Sequence, residues 1–163
     1  MLSFGLSQSA SKSITPASAR TAVTFNGTGS AIAETTVGTV TIPAGMLKGK
    51  SINVFLSVSS STLFTNGRIW RIKLGGTELG KITTTANANS VQLYICDRGT
   101  SPGVNAQRAA WAGTAGTLTL GANALTSAID TSVATTLTIT FEMAASALTE
   151  VATMEYYLVE LIS

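Results

Sequence analysis

Apolar and polar residues alternate along several short segments from residue 37 onward, which is the pattern of half-buried β-strands. In two segments, at 51–59 and 135–144, every second residue is large and apolar: Ile52, Val54, Leu56 and Val58 in the first, and Leu137, Ile139, Phe141 and Met143 in the second. The residues between them are mostly Ser, Thr and Asn. We therefore expect one face of each strand in a core and the other outside.

Turn residues separate these strands from others. Pro43 and Gly45 end the strand that begins at Val37, and Gly75-Gly76 between two apolar runs predicts a tight hairpin, because both central positions of a type I′ turn need positive φ. Further strands are predicted at 68–74, 77–83, 90–97, 104–113, 117–120 and 153–163, whereas 124–135 is ambiguous and 144–152 has room for one helical turn. About eight strands follow residue 35. Their long, uneven connections predict an all-β, antiparallel β-sandwich that is jelly-roll-like.

Residues 1–35 show neither the period of an amphipathic helix nor the alternation of a strand. They are rich in Ser, Ala, Thr and Gly, which fits a disordered tail. The widely spaced large residues favour an extended N-terminal arm that docks on a partner instead. The candidate contact residues of this arm are Phe4, Leu6, Ile14 and Arg20. The chain is thus divided into an arm at 1–35 and a jelly-roll domain at 36–163.

Composition argues against several classes of chemistry. The chain has no His and one Cys, Cys96, which excludes a histidine-based catalytic pair, an internal disulfide and a thiolate zinc cluster. The acids are scattered, and no nucleophile-elbow, phosphate-loop or calcium-loop motif occurs. We therefore expect no enzyme, no cofactor and no metal. Neither a signal peptide nor a membrane segment is indicated, so we expect a protein made in the cytoplasm.

Charge is unevenly distributed. All ten basic residues lie before residue 109, and five of the eight acids follow it. This split predicts either pairing inside the fold or between subunits, or a positive patch for an acidic partner, formed by Lys48, Lys50, Arg68, Arg71, Lys73 and Lys81. A nucleic acid is not expected, because the net charge is only +2 and no strand combines aromatic with basic residues.

The aromatic residues could either line a binding surface or pack in the core. Those considered for a glycan site or a subunit interface are Trp70, Trp111, Tyr156 and Tyr157, with Tyr94 as a further glycan candidate. Core packing is the simpler interpretation of each. Adjacent strand residues point to opposite faces, so at least one of Tyr156 and Tyr157 must leave the core of its own domain.

Charged residues form only 11% of the chain, too few for the surface of an ordinary monomer. Threonine-rich alternation such as 135–140 also suits a sheet face that packs beside a copy of itself. We therefore expect a homo-oligomer, and a homotrimer in particular.

Residues 37–163 resemble small jelly-roll proteins of tailed-bacteriophage virions. The resemblance rests on the IPAG turn at 42–45, the apolar strand ending in Gly75-Gly76, and the final strand with Glu155 followed by Val159-Glu160-Leu161. It implies a capsid decoration (cement) protein, trimeric, assembled in the host cytoplasm, and bound through its arm to the major capsid protein or a neighbouring subunit. It implies no catalytic residue. The alternatives are a fibre or neck protein that recognises host glycans and a non-viral carbohydrate-binding module.

Overall fold

The computed structural model describes residues 22–60, 67–84, 88–97, 107–113, 117–120 and 127–162. These residues form ten strands and no helix. The strands are β1 (Val23–Asn26), β2 (Ile32–Ile42), β3 (Ser51–Ser60), β4 (Arg68–Leu74), β5 (Thr77–Thr84), β6 (Ala88–Asp97), β7 (Gln107–Gly113), β8 (Thr117–Leu120), β9 (Thr135–Met143) and β10 (Val151–Ile162).

The strands form two antiparallel five-stranded sheets that pack into a β-sandwich. Sheet A has the order β1-β10-β3-β6-β7, and sheet B has the order β2-β9-β4-β5-β8. The predicted all-β sandwich is confirmed. The apolar positions of β3 and β9 singled out above are all buried, so the period-2 pattern identified the inner face correctly.

Gly75 and Gly76 form the turn between β4 and β5, with φ of 53° and 80°. This confirms the predicted tight hairpin. Both residues occupy the left-handed region, where a Cβ atom is unfavourable, so glycine meets a real backbone requirement there.

The core joins the two sheets through aromatic rings. Phe25 of β1 stacks on Phe141 of β9 with ring centroids 4.4 Å apart, and Trp70 of β4 meets the same ring at 4.5 Å. Tyr157 of β10 packs over Gly38 of β2, where an added Cβ would lie 2.8 Å from the tyrosine ring. The missing side chain at Gly38 thus provides the space that Tyr157 fills.

The predicted boundary at residue 35 needs correction. Residues 23–26 form β1 at the edge of sheet A, and β2 begins at Ile32, so both strands start within the segment assigned to the arm. Widely spaced apolar residues hid these strands, because Val23 and Phe25 are only half-buried and β2 is mostly exposed up to Thr36. The sandwich therefore begins by residue 23, and any arm lies within residues 1–21, outside the described residues.

Candidate functional site

A β-bulge in β10 decides which tyrosine faces outward. The register with β3 shifts between Met154 and Tyr156, so strict alternation is broken at Glu155. Met154 and Tyr157 both point into the core, 1% and 2% exposed, while Tyr156 is 41% exposed. A single extra residue in the strand thus turns Tyr156 outward. The expectation that one of the two tyrosines leaves the core is confirmed.

Among the described residues, five large apolar side chains lie on the outer surface of sheet A, and two of them, Phe55 and Tyr156, stack on each other. Phe55 of β3 stacks on Tyr156 with centroids 5.4 Å apart, and Leu158 lies directly opposite Phe55. Tyr94 of β6 and Ile162 at the end of β10 are 37% and 39% exposed. We call these five residues the aromatic face. An exposed group of large apolar side chains on one sheet surface is typical of a contact surface.

Polar groups lie at one end of the aromatic face and between some of its members. Ser59 donates a hydrogen bond to Glu155, and the amide nitrogen of Asn53 donates to Glu160 at 3.3 Å. The hydroxyl of Tyr94 donates to the Gln92 side chain at 3.0 Å. Both carboxylates belong to β10, with Glu155 next to Tyr156 and Glu160 between Leu158 and Ile162, so the β10 side of the aromatic face is acidic.

The outer surface of sheet B differs in chemistry. It is lined by threonines and by a charge cluster from four strands: Glu34, Arg71, Lys73, Glu78 and Glu142. Arg71 lies 2.5 Å from Glu142 and 3.0 Å from Glu78, and Lys73 lies 2.5 Å from Glu34. The charges largely neutralise each other, so this surface offers little net charge to a partner.

Hydrogen bonds and charge hold Glu34 ionised. The hydrogen bond from Lys73 is the main cause that lowers the pKa of Glu34, and Thr140 adds a second hydrogen bond at 2.6 Å. Partial burial opposes the shift without reversing it. Glu34 therefore ties β2 to β4 and β9 through one carboxylate.

This cluster decides between the two interpretations of the charge distribution. Arg71 and Lys73 are paired inside the fold, and Arg68 is fully buried, where burial lowers its pKa and the nearby charge of Glu150 raises it. The predicted positive patch is therefore wrong for three of its six members. Arg71 pairs with Glu142 and Arg68 lies near the charge of Glu150, both from the acidic C-terminal third, whereas Lys73 pairs with Glu34 from the first half of the chain.

Two loops at one end of the sandwich are joined by hydrogen bonds. Gly27 donates its N–H to the carbonyl oxygen of Glu150 at 2.7 Å, and the Ser146 hydroxyl bridges the N–H of Thr28 and the carbonyl of Ser30 at 3.0 and 2.6 Å. Leu148, in the second loop, is 77% exposed. Leu148 is therefore an exposed apolar side chain on a loop that is fixed to its neighbouring loop.

The opposite end is held by the buried side chain of Gln107. Its amide donates to the carbonyl of Ile129 at 2.8 Å, and its oxygen accepts hydrogen bonds from Ser127 and from the N–H of Ile129 at 2.8 and 2.9 Å. This buried amide, with three hydrogen bonds, fixes the 127–131 segment against β7. The ambiguous sequence of this segment reflects its irregular structure, which this side-chain network holds in place.

The sequence-predicted site residues have different outcomes. Trp70 and Tyr157 are buried in the core, so they line no surface site and their candidacy as glycan or interface residues is wrong. Tyr156 lies on the aromatic face. Trp111 lies in β7 opposite Leu93, and its side chain is outside the described part, as are the arm residues Phe4, Leu6, Ile14 and Arg20.

Sequence reasoning underrated Tyr94 and passed over Phe55. Both lie at the outward positions of otherwise alternating strands. The sequence did contain a sign of this surface, because each of these residues is large and apolar at a position where an outward-facing strand residue is usually Ser, Asn or Gln. Its meaning depended on knowing that β3 lies between β10 and β6, which brings the outward residues of all three strands onto one surface.

Within the described residues, no group of three or more acidic or cysteine side chains is arranged to hold a metal ion. The same residues include no helix long and apolar enough to cross a membrane. Comparison of the sequence with models of known protein families and with curated proteins finds no match.

Proposed function

We propose that the protein is a non-catalytic structural protein of a bacteriophage virion, a decoration protein that binds the outside of the capsid shell and stabilises it. The observation that carries this proposal is the aromatic face, an exposed apolar surface of the β-sandwich through which copies of the chain would associate into the unit that binds the shell. Such a surface acts by contact alone and requires no cofactor. Repeated over many equivalent sites, even weak contacts give strong attachment by avidity.

The strand order supports a jelly-roll interpretation of the sandwich. Without β7 and β8, the two sheets reduce to the orders β1-β10-β3-β6 and β2-β9-β4-β5. Two four-stranded antiparallel sheets with repeated crossings between them fit an eight-stranded jelly roll. β7 and β8 then extend the two sheets on the side of β6 and β5.

The two outer surfaces support self-association as part of the same function. The surface of sheet B is hydrogen-bonded and neutralised within the chain, whereas the aromatic face leaves Tyr94, Tyr156 and Ile162 exposed. We propose that the aromatic face contacts a neighbouring copy in a homotrimer, and that the trimer contacts the major capsid protein.

Binding to capsid shells tests this function. Purified shells stripped of the protein are incubated with increasing amounts of the wild type, and bound protein is measured after sedimentation. We expect saturable binding and a higher temperature of DNA release. The matched variants are Tyr156→Ser on the aromatic face and Val133→Ser, which removes an exposed apolar residue elsewhere. Absence of binding by the wild type would refute the decoration role.

Glycan recognition on a fibre or neck is the second candidate. The exposed rings of Tyr94 and Tyr156 favour it, since aromatic rings stack on the apolar faces of sugars. Titration of a broad glycan panel against the wild type and Tyr156→Ser tests this function. Binding that is lost in the variant would support the second candidate, and no binding across the panel would remove it.

A further inference from the structure

We propose that the outer surface of sheet A binds an arginine side chain of a partner protein, at a site formed by Asn53, Tyr94 and Glu160. This inference names the chemistry of the partner at the contact surface on which the proposed function rests. Three observations carry it: a buried amide oxygen without a hydrogen-bond donor, a carboxylate beside it without an ion-pair partner in the described part of the chain, and an exposed ring next to both.

The three side chains form one row across sheet A. Asn53 of β3 is paired in register with Glu160 of β10 on one side and with Tyr94 of β6 on the other. Residues paired in this way point to the same side of a sheet. That side is the outer one, because the side-chain nitrogen of Asn53 donates to Glu160 at 3.3 Å and Tyr94 is 37% exposed. The carboxylate, the amide and the ring therefore border one patch of surface.

The amide of Asn53 is the feature that points to a ligand. Asn53 is only 8% exposed although it belongs to the outer surface, and its Oδ1 atom accepts no hydrogen bond from the described residues. A buried acceptor without a donor costs free energy, so a donor supplied by a ligand is favoured there. Tyr94 is the most exposed of the side chains beside Asn53. Its ring can turn aside to let a donor reach Oδ1, because exposed side chains change rotamer within nanoseconds.

The site offers a ligand acceptors rather than donors. The amide nitrogen of Asn53 already donates to Glu160, and the hydroxyl of Tyr94 donates to Gln92. The acceptors left for a ligand are the Asn53 oxygen and the Glu160 carboxylate, and neither Glu155 nor Glu160 belongs to an ion pair within the described ranges. A sugar hydroxyl brings acceptor lone pairs as well as a donor, whereas a guanidinium brings N–H donors only, together with a positive charge. The set of free groups therefore favours a guanidinium.

Arginine fits this row better than lysine does. Its planar guanidinium can stack on the ring of Tyr94 while separate N–H groups donate to Asn53 and Glu160. A lysine ammonium is a compact point charge and has no plane to stack. Apolar members of the aromatic face lie on both sides of the row along the strands. We therefore expect the partner to present an arginine among apolar residues.

An NMR titration of the purified protein tests the site. The probe is a blocked tripeptide with arginine between two leucines, and the matched probe carries citrulline, which has nearly the same shape without the charge. We expect saturable shifts centred on the side-chain amide of Asn53 and on Tyr94, with the citrulline probe bound about tenfold more weakly. Glu160→Gln should weaken arginine binding by a similar factor. Glu78→Gln, which removes a carboxylate from the outer surface of sheet B, should leave arginine binding unchanged.

Each result of the titration decides the inference. A preference for arginine over citrulline that is lost in Glu160→Gln and kept in Glu78→Gln supports it. Equal binding of the two probes, an equal effect of the two variants, or the absence of saturable shifts overturns it. The comparison of probes on the wild type requires no variant to fold. Because no capsid shells are present, failure here leaves the decoration role to the separate shell-binding experiment.

Discussion

The rings of Phe55 and Tyr156 stack on the outer surface of sheet A, 5.4 Å apart, with the tyrosine 41% exposed. Phe55 is half-buried by its neighbours, so the pair forms a fixed apolar platform. The stacking contributes about 0.5–1.5 kcal/mol to the fold. The remaining exposed area is available to a partner, which connects the bulge of β10 to the proposed contact function.

Removing the exposed ring of Tyr156 should affect self-association much more than the stability of the fold. Tyr156→Ser is expected to weaken self-association at least tenfold, or about 1.4 kcal/mol, because the exposed ring is lost from the interface. The free energy of unfolding of the dissociated chain should fall by only about 1 kcal/mol. Light scattering across a concentration series and chemical denaturation at low concentration measure the two effects. Equal self-association of Tyr156→Ser and wild type would exclude the aromatic face as the interface.

Because Gly27 lies very close to the backbone of Ala147, adding a single methyl group there should strongly reduce the stability of the fold. In Gly27→Ala, the new Cβ would lie 1.7 Å from the carbonyl oxygen of Ala147, so one loop must move and the hydrogen bond to Glu150 is strained or lost. We expect a loss of about 2–4 kcal/mol in the free energy of unfolding. Denaturant titration measures it.

Gly45→Ala is the control for that variant. No atom lies within 4 Å of the Cβ position at Gly45, and the cost comes only from its φ of 69°. We expect about 1–2 kcal/mol there. A loss at Gly27 no larger than the loss at Gly45 would contradict the described packing of the two loops.

The Gln107 network predicts local loosening when its amide is removed. Gln107→Met keeps the size of the side chain but leaves Ser127 and the backbone groups of Ile129 without their partner. We expect a loss of about 1–3 kcal/mol and faster hydrogen exchange at the Ile129 amide. Exchange measured by mass spectrometry or NMR tests this, with amides of β3 as the internal reference. Unchanged exchange at Ile129 would show that Gln107 does not hold the segment.

Glu34 predicts an acid-dependent loss of stability. Its pKa is lowered in the folded protein, chiefly by the hydrogen bond from Lys73, so the ionised form is favoured by folding. The stability that this shift contributes is present above the pKa of the unfolded state and disappears as the pH falls through the folded-state pKa. Denaturation from pH 7 downward should show a smaller acid-dependent loss in Glu34→Gln than in wild type.

Lys73→Met provides a second variant for the same pH experiment. Since Lys73 acts on the pH dependence through Glu34, adding Lys73→Met to Glu34→Gln should change the pH dependence little further. If the free energy of unfolding falls with decreasing pH by the same amount in the wild type and in Glu34→Gln, the ion pair contributes nothing to stability in acid. The effect is reduced by solvent screening, because Glu34 is one-third exposed.

The sequence pattern predicted the sandwich well because burial in a sheet has a strict period of two. Every second residue from Ile52 to Val58 and from Leu137 to Met143 is apolar and buried. The Gly75-Gly76 hairpin was equally predictable, since its backbone demands glycine. β1 escaped prediction because a four-residue edge strand with half-buried residues leaves almost no periodic signal.

The contact face was harder to predict for two physical reasons. The bulge at Glu155 reverses the alternation of β10, so the sequence could not show which of Tyr156 and Tyr157 faces outward. The neighbours of Tyr156 come from β3, and Tyr94 from β6, strands that are distant in sequence and adjacent only through the sheet order. Long-range pairing is set by the whole fold and is not encoded in any local pattern.

The copy number of the protein in purified phage particles tests the central claim most directly. Quantitative mass spectrometry against the major capsid protein gives this number. The decoration role predicts a copy number comparable with that of the major capsid protein, as expected for attachment at repeated sites of the shell. A dozen or a few dozen copies would instead indicate a fibre or neck component, and absence from particles would contradict the virion role altogether.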